Sequence, residues 1–162
     1  MRFAVCLALQ FMVTSLCFGQ SAEDNSLIAS CTFPDGNEVS VRYAPVSTKQ
    51  KPPAGKPWAP GGTPIYLFTQ TELTANNASL PVGAYSIYVL PAKQSWTLIV
   101  NKNVSSKEYD EKQDVVRMNM QSGSLTEAVD PLQVSFAHVA PKECNIRIYY
   151  GKTGNWAEFK QK

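Results

Sequence analysis

The chain has 162 residues, 44% of them hydrophobic and 17% charged, with a formal net charge of +2 at pH 7. That is enough for one domain with a real core and too little for two ordinary ones, and it lacks the clustered excess of Lys and Arg that nucleic acid or an anionic surface demands as a main partner. Eleven prolines and nine glycines, with no long helical period, favour β structure and loops.

Arg2 followed by the apolar stretch Phe3 to Phe18 reads as a secretory signal peptide over residues 1–19. Cys17 and Gly19 sit at the minus-three and minus-one positions of a cut before Gln20, and Leu16 is bulkier than a lipoprotein signal accepts. The expectation is a soluble protein, secreted or periplasmic. Removing nineteen of the 162 residues leaves 143 and, with Arg2 gone, a charge of +1. A flexible polar lead over 20–26 then precedes one domain over 27–162.

Ile28 to Tyr43 reads as strand, turn, strand, with Pro34-Asp35-Gly36-Asn37 in the turn. In its second arm Val39, Val41 and Tyr43 face a core, while Glu38, Ser40 and Arg42 face water. From 44 to 64 the composition changes to a Pro/Gly/Lys-rich loop with Pro45, Pro52, Pro53, Pro57, Pro60 and Pro64, in which no helix or central strand survives. A loop of this length inside a compact domain is functional or mobile, which makes it the first place to look for a site. Trp58 within it has two readings, a staple onto the domain or a platform for a ligand ring.

Ile65 to Thr69 is a short apolar strand, and Glu72 to Ala75 pairs with Ser79 and Leu80 across Asn76-Asn77, residues that tolerate a left-handed turn. Pro81 to Lys102 is the strongest signal in the chain. Tyr85, Ile87 and Val89 alternate with Ala84, Ser86, Tyr88 and Leu90; Pro91 ends that run, and Trp96, Leu98 and Val100 follow in a second one. Neither run has a wholly polar face, so the hairpin is covered on both sides. Asn103 to Lys112 is a polar loop, and Gln113 to Met120 a strand with Val116, Met118 and Met120 on one face. Leu132 to His138 pairs with Cys144 to Tyr150, and Trp156 to Phe159 is a last short strand. The expected fold is all-β: a single antiparallel β-sandwich or flattened barrel of about nine or ten short strands.

With Cys6 and Cys17 leaving in the signal, Cys31 and Cys144 remain, either bridged or as two buried thiols. The usual catalytic motifs are missing: no Gly-x-Ser-x-Gly elbow, no His-Glu-x-x-His, no phosphate-cradling glycine loop. The one histidine, His138, reads as an edge residue. No metal or cofactor is expected, since Glu108, Asp110, Glu111 and Asp114 are interleaved with Lys107 and Lys112 and fit no calcium loop. Asp114 and Arg117 are three apart on a strand and so fall on opposite faces unless a bulge intervenes; no pairing is expected.

Several segments resemble, in order and spacing, an uncharacterised family of exported bacterial proteins known only as domain of unknown function 2911. They are Gly55-Lys56-Pro57-Trp58, the run from Leu80 to Pro91, the run from Trp96 to Lys102, Tyr109-Asp110, and Asp114-Val115-Val116-Arg117. The opening Cys31-Thr32-Phe33-Pro34-Asp35-Gly36 is similar to a subgroup with a late cysteine, which implies a bridge to Cys144. Where that family continues after the tryptophan with an arginine, a glycine and an alanine-asparagine-glutamate run, this chain has Ala59-Pro60-Gly61-Gly62-Thr63-Pro64. The resemblance implies fold and compartment and offers no activity to carry over.

The reading is an exported module that does no chemistry and binds a carbohydrate or a protein of the cell envelope. Its candidate binding residues are Lys56, Trp58, Tyr66, Tyr109 and Arg117. The competing reading is a hydrolase of envelope carbohydrate or peptide using carboxylates such as Asp110 or Asp114.

Overall fold

The computed structural model describes residues 25–162, so the expected signal peptide, residues 1–19, and most of the lead lie outside the described residues. Ten strands run in the order β1 (Leu27–Thr32), β2 (Glu38–Tyr43), β3 (Ile65–Thr69), β4 (Leu73–Ala75), β5 (Ala78–Leu80), β6 (Gly83–Leu90), β7 (Thr97–Asn101), β8 (Asp114–Asn119), β9 (Gln121–Ala140) and β10 (Glu143–Gln161). Among the described residues the helices are single 3-10 turns at Pro60–Gly62 and Glu111–Gln113. The strands make two antiparallel sheets, one ordered β1-β2-β3-β6-β7-β8 and one ordered β5-β4-β10-β9. They are not closed into a barrel, so of the two expected forms the open sandwich is the one present.

The alternation in the sequence carries through to the packing. Val39 and Val41 of β2, Leu67 of β3, Ile87 and Val89 of β6, and Leu98 and Val100 of β7 are fully buried between the sheets. Leu73, Leu80, Ile146, Ile148 and Phe159 meet them from the four-stranded sheet. Each such side chain contributes roughly 1.5–3 kcal/mol by leaving water. Cys31 on β1 is bridged to Cys144 on β10, with Cα atoms 6.4 Å apart across 113 positions of sequence. The β4–β5 turn forms where expected, with Asn76 and Asn77 at φ of 47° and 64°.

Pro45 to Pro64 is a strap, held along its length by hydrogen bonds. Leu132 N donates to Val46 O, Thr48 Oγ1 to Val129 O and the Tyr150 hydroxyl to Gln50 O, at 2.8, 2.7 and 2.9 Å. Gly55 N then donates to Pro91 O, and Trp58 exchanges both backbone bonds with Val89, taking the edge of β6 beyond the point where β3 ends. The length that marks this segment as functional or mobile is used to cover the sandwich.

β10 is folded on itself. Nineteen extended residues would span about 60 Å, yet Gln161 N donates to Lys142 O at 2.8 Å and Lys160 Nζ meets Glu143 at 2.6 Å. The reversal falls at Gly151, whose φ of 58° suits a residue without a Cβ. The two expected strands, Cys144 to Tyr150 and Trp156 to Phe159, are its two arms. β9 follows it, pairing Gln133–His138 with the first arm and Gln121–Ser124 with the second.

Candidate functional site

The outer face of the six-stranded sheet carries Arg42, Tyr66, Ser86 and Asn101 in one cross-strand row and Tyr88, Ile99 and Arg117 in the next. Tyr88 and Ile99 are buried under Ala59 from the strap and Tyr109 from the loop before β8, with the Tyr88 and Tyr109 rings edge-on at 5.1 Å. This is the cover that the central hairpin needs on its second side.

Asp114 and Arg117 pair after all. The β7–β8 register shifts between Val100 and Asn101, so that Asp114 stands opposite Asn101 while Val116 stands opposite Val100. The extra residue is a bulge, and it turns Asp114 onto the face of Arg117. Arg117 Nε donates to Asp114 Oδ2 at 2.7 Å, and its Nη2 donates to Glu111 Oε1 at 2.9 Å and to the Tyr109 hydroxyl at 2.5 Å. Tyr109 donates in turn to Asp114 Oδ2 at 2.7 Å, and Asn101 Nδ2 donates to Asp114 Oδ1 and to Asp110 O, both at 2.8 Å. Asp110 Oδ1 caps the following 3-10 turn through Lys112 N. Both carboxylates named for hydrolysis are thereby engaged in holding the 103–113 loop to the sheet.

Burial, then the hydrogen bond to Asp114, pushes the Tyr109 hydroxyl up to about 12. An unfolded tyrosine ionises near 10, so this raised value supplies stability that is complete below that pH and is lost as pH rises from about 10 towards about 12. Urea midpoints for Tyr109→Phe are expected to fall less between about pH 9 and pH 11 than those of the native protein. Burial raises Tyr85, Tyr88 and Tyr150 as well, so the fall is reduced and not abolished.

The five candidate binding residues do not form one cluster. Tyr66, Tyr109 and Arg117 share the outer face, whereas the Trp58 side chain packs on the core side of the same sheet. Its ring meets Trp96 at 6.2 Å and Tyr150 at 5.1 Å, edge-on to both. This is the staple geometry, with Trp58 turned inward and its neighbour Ala59 outward. Lys56 is exposed at the turn before it.

A groove of about 650 Å³ lies elsewhere, between the edge of β8, the β4–β5 turn and β10. Five amides line it: Asn76, Asn77, Asn119, Gln121 and Asn145. Three have partners, one of them Asn119, whose Oδ1 accepts from Thr97 Oγ1 at 3.3 Å. Asn76 Nδ2 donates to Arg117 O at 2.9 Å, and Gln121 Oε1 accepts from the Trp156 indole at 2.9 Å, which sets the plane of that ring. Asn145 Oδ1 is buried and has no hydrogen-bond partner among the described residues. Glu158 is the one carboxylate of the lining; Lys160 beside it is paired with Glu143.

Trp156 also lines a second cavity, of about 350 Å³, with Leu125, Arg147 and Tyr149. Gly154 makes room for the Tyr149 ring, since a Cβ there would lie 3.2 Å from it, whereas one on Gly123 would meet Trp156 at ordinary contact, 3.4 Å. These residues stand on four separate stretches of chain, and Asn76-Asn77 signals only a turn. What the sequence does offer is the spacing of Asn145, Arg147 and Tyr149, which puts them on one face of a strand.

Among the described residues no group of three or more His, Cys, Asp or Glu is placed to hold a metal ion, and no helix is long and apolar enough to cross a membrane. The His138 ring lies exposed, with Nε2 3.2 Å from Pro141 O. A family model described as protein of unknown function (DUF2911) matches residues 29–158. No curated protein and no solved structure matches the chain.

Proposed function

The chain belongs to the DUF2911 family, whose function is unknown, and on that premise we propose that it is an exported module that binds carbohydrate in the groove beside Trp156. The observation that carries this reading is the amide lining with Asn145 Oδ1 buried and unpartnered. Amides present donors and acceptors in one plane, which suits a ligand dense in hydroxyls. A buried acceptor left unmade costs about 1–3 kcal/mol, which a small turn of the Asn145 amide toward a ligand hydroxyl recovers. An indole held in plane by Gln121 supplies an apolar face for the C–H side of a sugar ring.

The arrangement favours binding over hydrolysis. Glycoside cleavage takes two carboxylates flanking the bond; the groove is lined by one, Glu158, and Asp110 and Asp114 serve the loop on the other sheet. Export is part of the same proposal. It rests on the signal pattern of residues 1–19 and is supported by the Cys31–Cys144 bridge, since such bonds persist in oxidising compartments.

The test is isothermal titration of the oxidised protein with neutral tetrasaccharides of glucose, N-acetylglucosamine, mannose and xylose. At least one is expected to bind, and Asn145→Ala and Trp156→Ala each to weaken it about tenfold or more. The melting temperature of Asn145→Ala should not fall and should rise by a few degrees, because the group removed is a buried acceptor that makes no bond in the free protein. Absence of binding by all four, and by acidic tetrasaccharides and their methyl esters as well, would overturn the reading.

A further inference from the structure

Trp156 is a ridge between two cavities of opposite character. On one side is the amide groove; on the other, Arg147 and Tyr149 stand with Leu125 and Ser124 around about 350 Å³. Arg147 differs from the other cations near the groove, Arg117 and Lys160. Arg117 is neutralised by Asp114 and Glu111, and Lys160 by Glu143. Arg147 is half-buried, and its guanidinium makes no hydrogen bond or ion pair among the described residues. No acidic residue lines its cavity.

Geometry sets the direction in which a ligand would run. The two arms of β10 lie side by side, so Asn145, Arg147 and Tyr149 on one arm stand alongside Trp156 and Gly154 on the other. A linear chain lying along this face passes from Asn145 over Trp156 to Arg147 within a few strand residues, each step of two advancing about 6.6 Å. A planar guanidinium without a counter-ion, beside two aromatic rings, is the recognition chemistry of a carboxylate, which it holds through two parallel N–H bonds.

Building on the carbohydrate reading above, we propose that the ligand is an acidic oligosaccharide that crosses Trp156, with one unit in the amide groove and the carboxylate of a neighbouring uronic acid on Arg147. The amides fix the hydroxyl pattern of the first unit, and Arg147 selects the charge of the second. Arg147 is thus a specificity residue whose removal leaves the amide groove untouched.

The experiment compares uronate tetrasaccharides (galacturonate, mannuronate and glucuronate) with their methyl esters, which keep the sugar and remove the charge. At low ionic strength the acid of at least one pair is expected to bind about tenfold or more tightly than its ester. Arg147→Gln should bring that acid down to the affinity of the ester while leaving the ester unchanged. Added salt should shrink the ratio in the native protein. Equal affinity for acid and ester, or a preference that survives in Arg147→Gln, would overturn the acidic subsite and leave the groove reading standing. Binding of the neutral tetrasaccharides with no binding of any uronate or its ester would do the same. No binding by any sugar overturns both.

Discussion

Replacing both Cys31 and Cys144 by alanine is expected to lower stability by about 4–5 kcal/mol. The bridge spans 113 positions, and on the chain-entropy account a loop of that length restricts the unfolded chain by about that amount. Both residues are buried, so alanine adds no polar group to the core. For a domain of this size the melting temperature should drop on the order of 15 °C. Urea unfolding of the double variant against the oxidised protein measures the loss, and the reduced native protein should match the variant. A loss below about 1 kcal/mol would mean that the denatured chain already holds β1 near β10 without the bond, so that the bridge restricts it little.

Trp58→Ala is expected to cost about 3 kcal/mol, near the lower end for removing a large aromatic, because Trp58 is half-buried. What is lost is its edge contact with Trp96 and Tyr150 and the closure of the sandwich at that end. The two backbone bonds to Val89 remain in principle, but they then hold the strap without a side-chain anchor. Limited trypsin digestion gives a local reading alongside the global melt. Of Lys49, Lys51 and Lys56, only Lys49 is not followed by proline, so faster cleavage after Lys49 reports release of the strap. A variant that melts lower while Lys49 stays protected would show that Trp58 supports the core and not the strap.

Much of the fold is legible because local pattern and tertiary environment agree. Val39, Val41 and Tyr43 alternate with polar residues and lie inward; Asn76-Asn77 takes the left-handed turn; β6 and β7 lack a polar face and sit inside a six-stranded sheet. The first arm of β9 is not legible. Ser122, Gly123 and Ser124 show no apolar alternation, and their pairing with Gly154 and Asn155 is specified some thirty residues away. The Asp114–Arg117 pair depends on a bulge, which is a relation between two strands and leaves no local mark. Of the five candidate binding residues, composition identifies the aromatic and basic side chains but not the side of the sheet each one takes. The strap brings Trp58 in antiparallel register with Val89, so its ring points to the core. The amide groove is farther from view still, since Asn145 reads as a polar position on a strand until the β4–β5 turn and β8 close around it.

The seating of β4 against β10 bears on the order in which this protein can fold. Thr74 and Leu73 pair with Lys160 and Gln161, and Lys162 reaches Glu72 across ninety positions of sequence. The β4–β5 hairpin therefore leaves the ribosome with its neighbouring strand still unsynthesised. Such distant pairings carry a large loop-closure penalty before any contact rewards them. The six-stranded sheet has all its strands by Asn119, so it can pair while β10 is still being made. The four-stranded sheet cannot be completed before Lys160 and Gln161 are present to pair with β4.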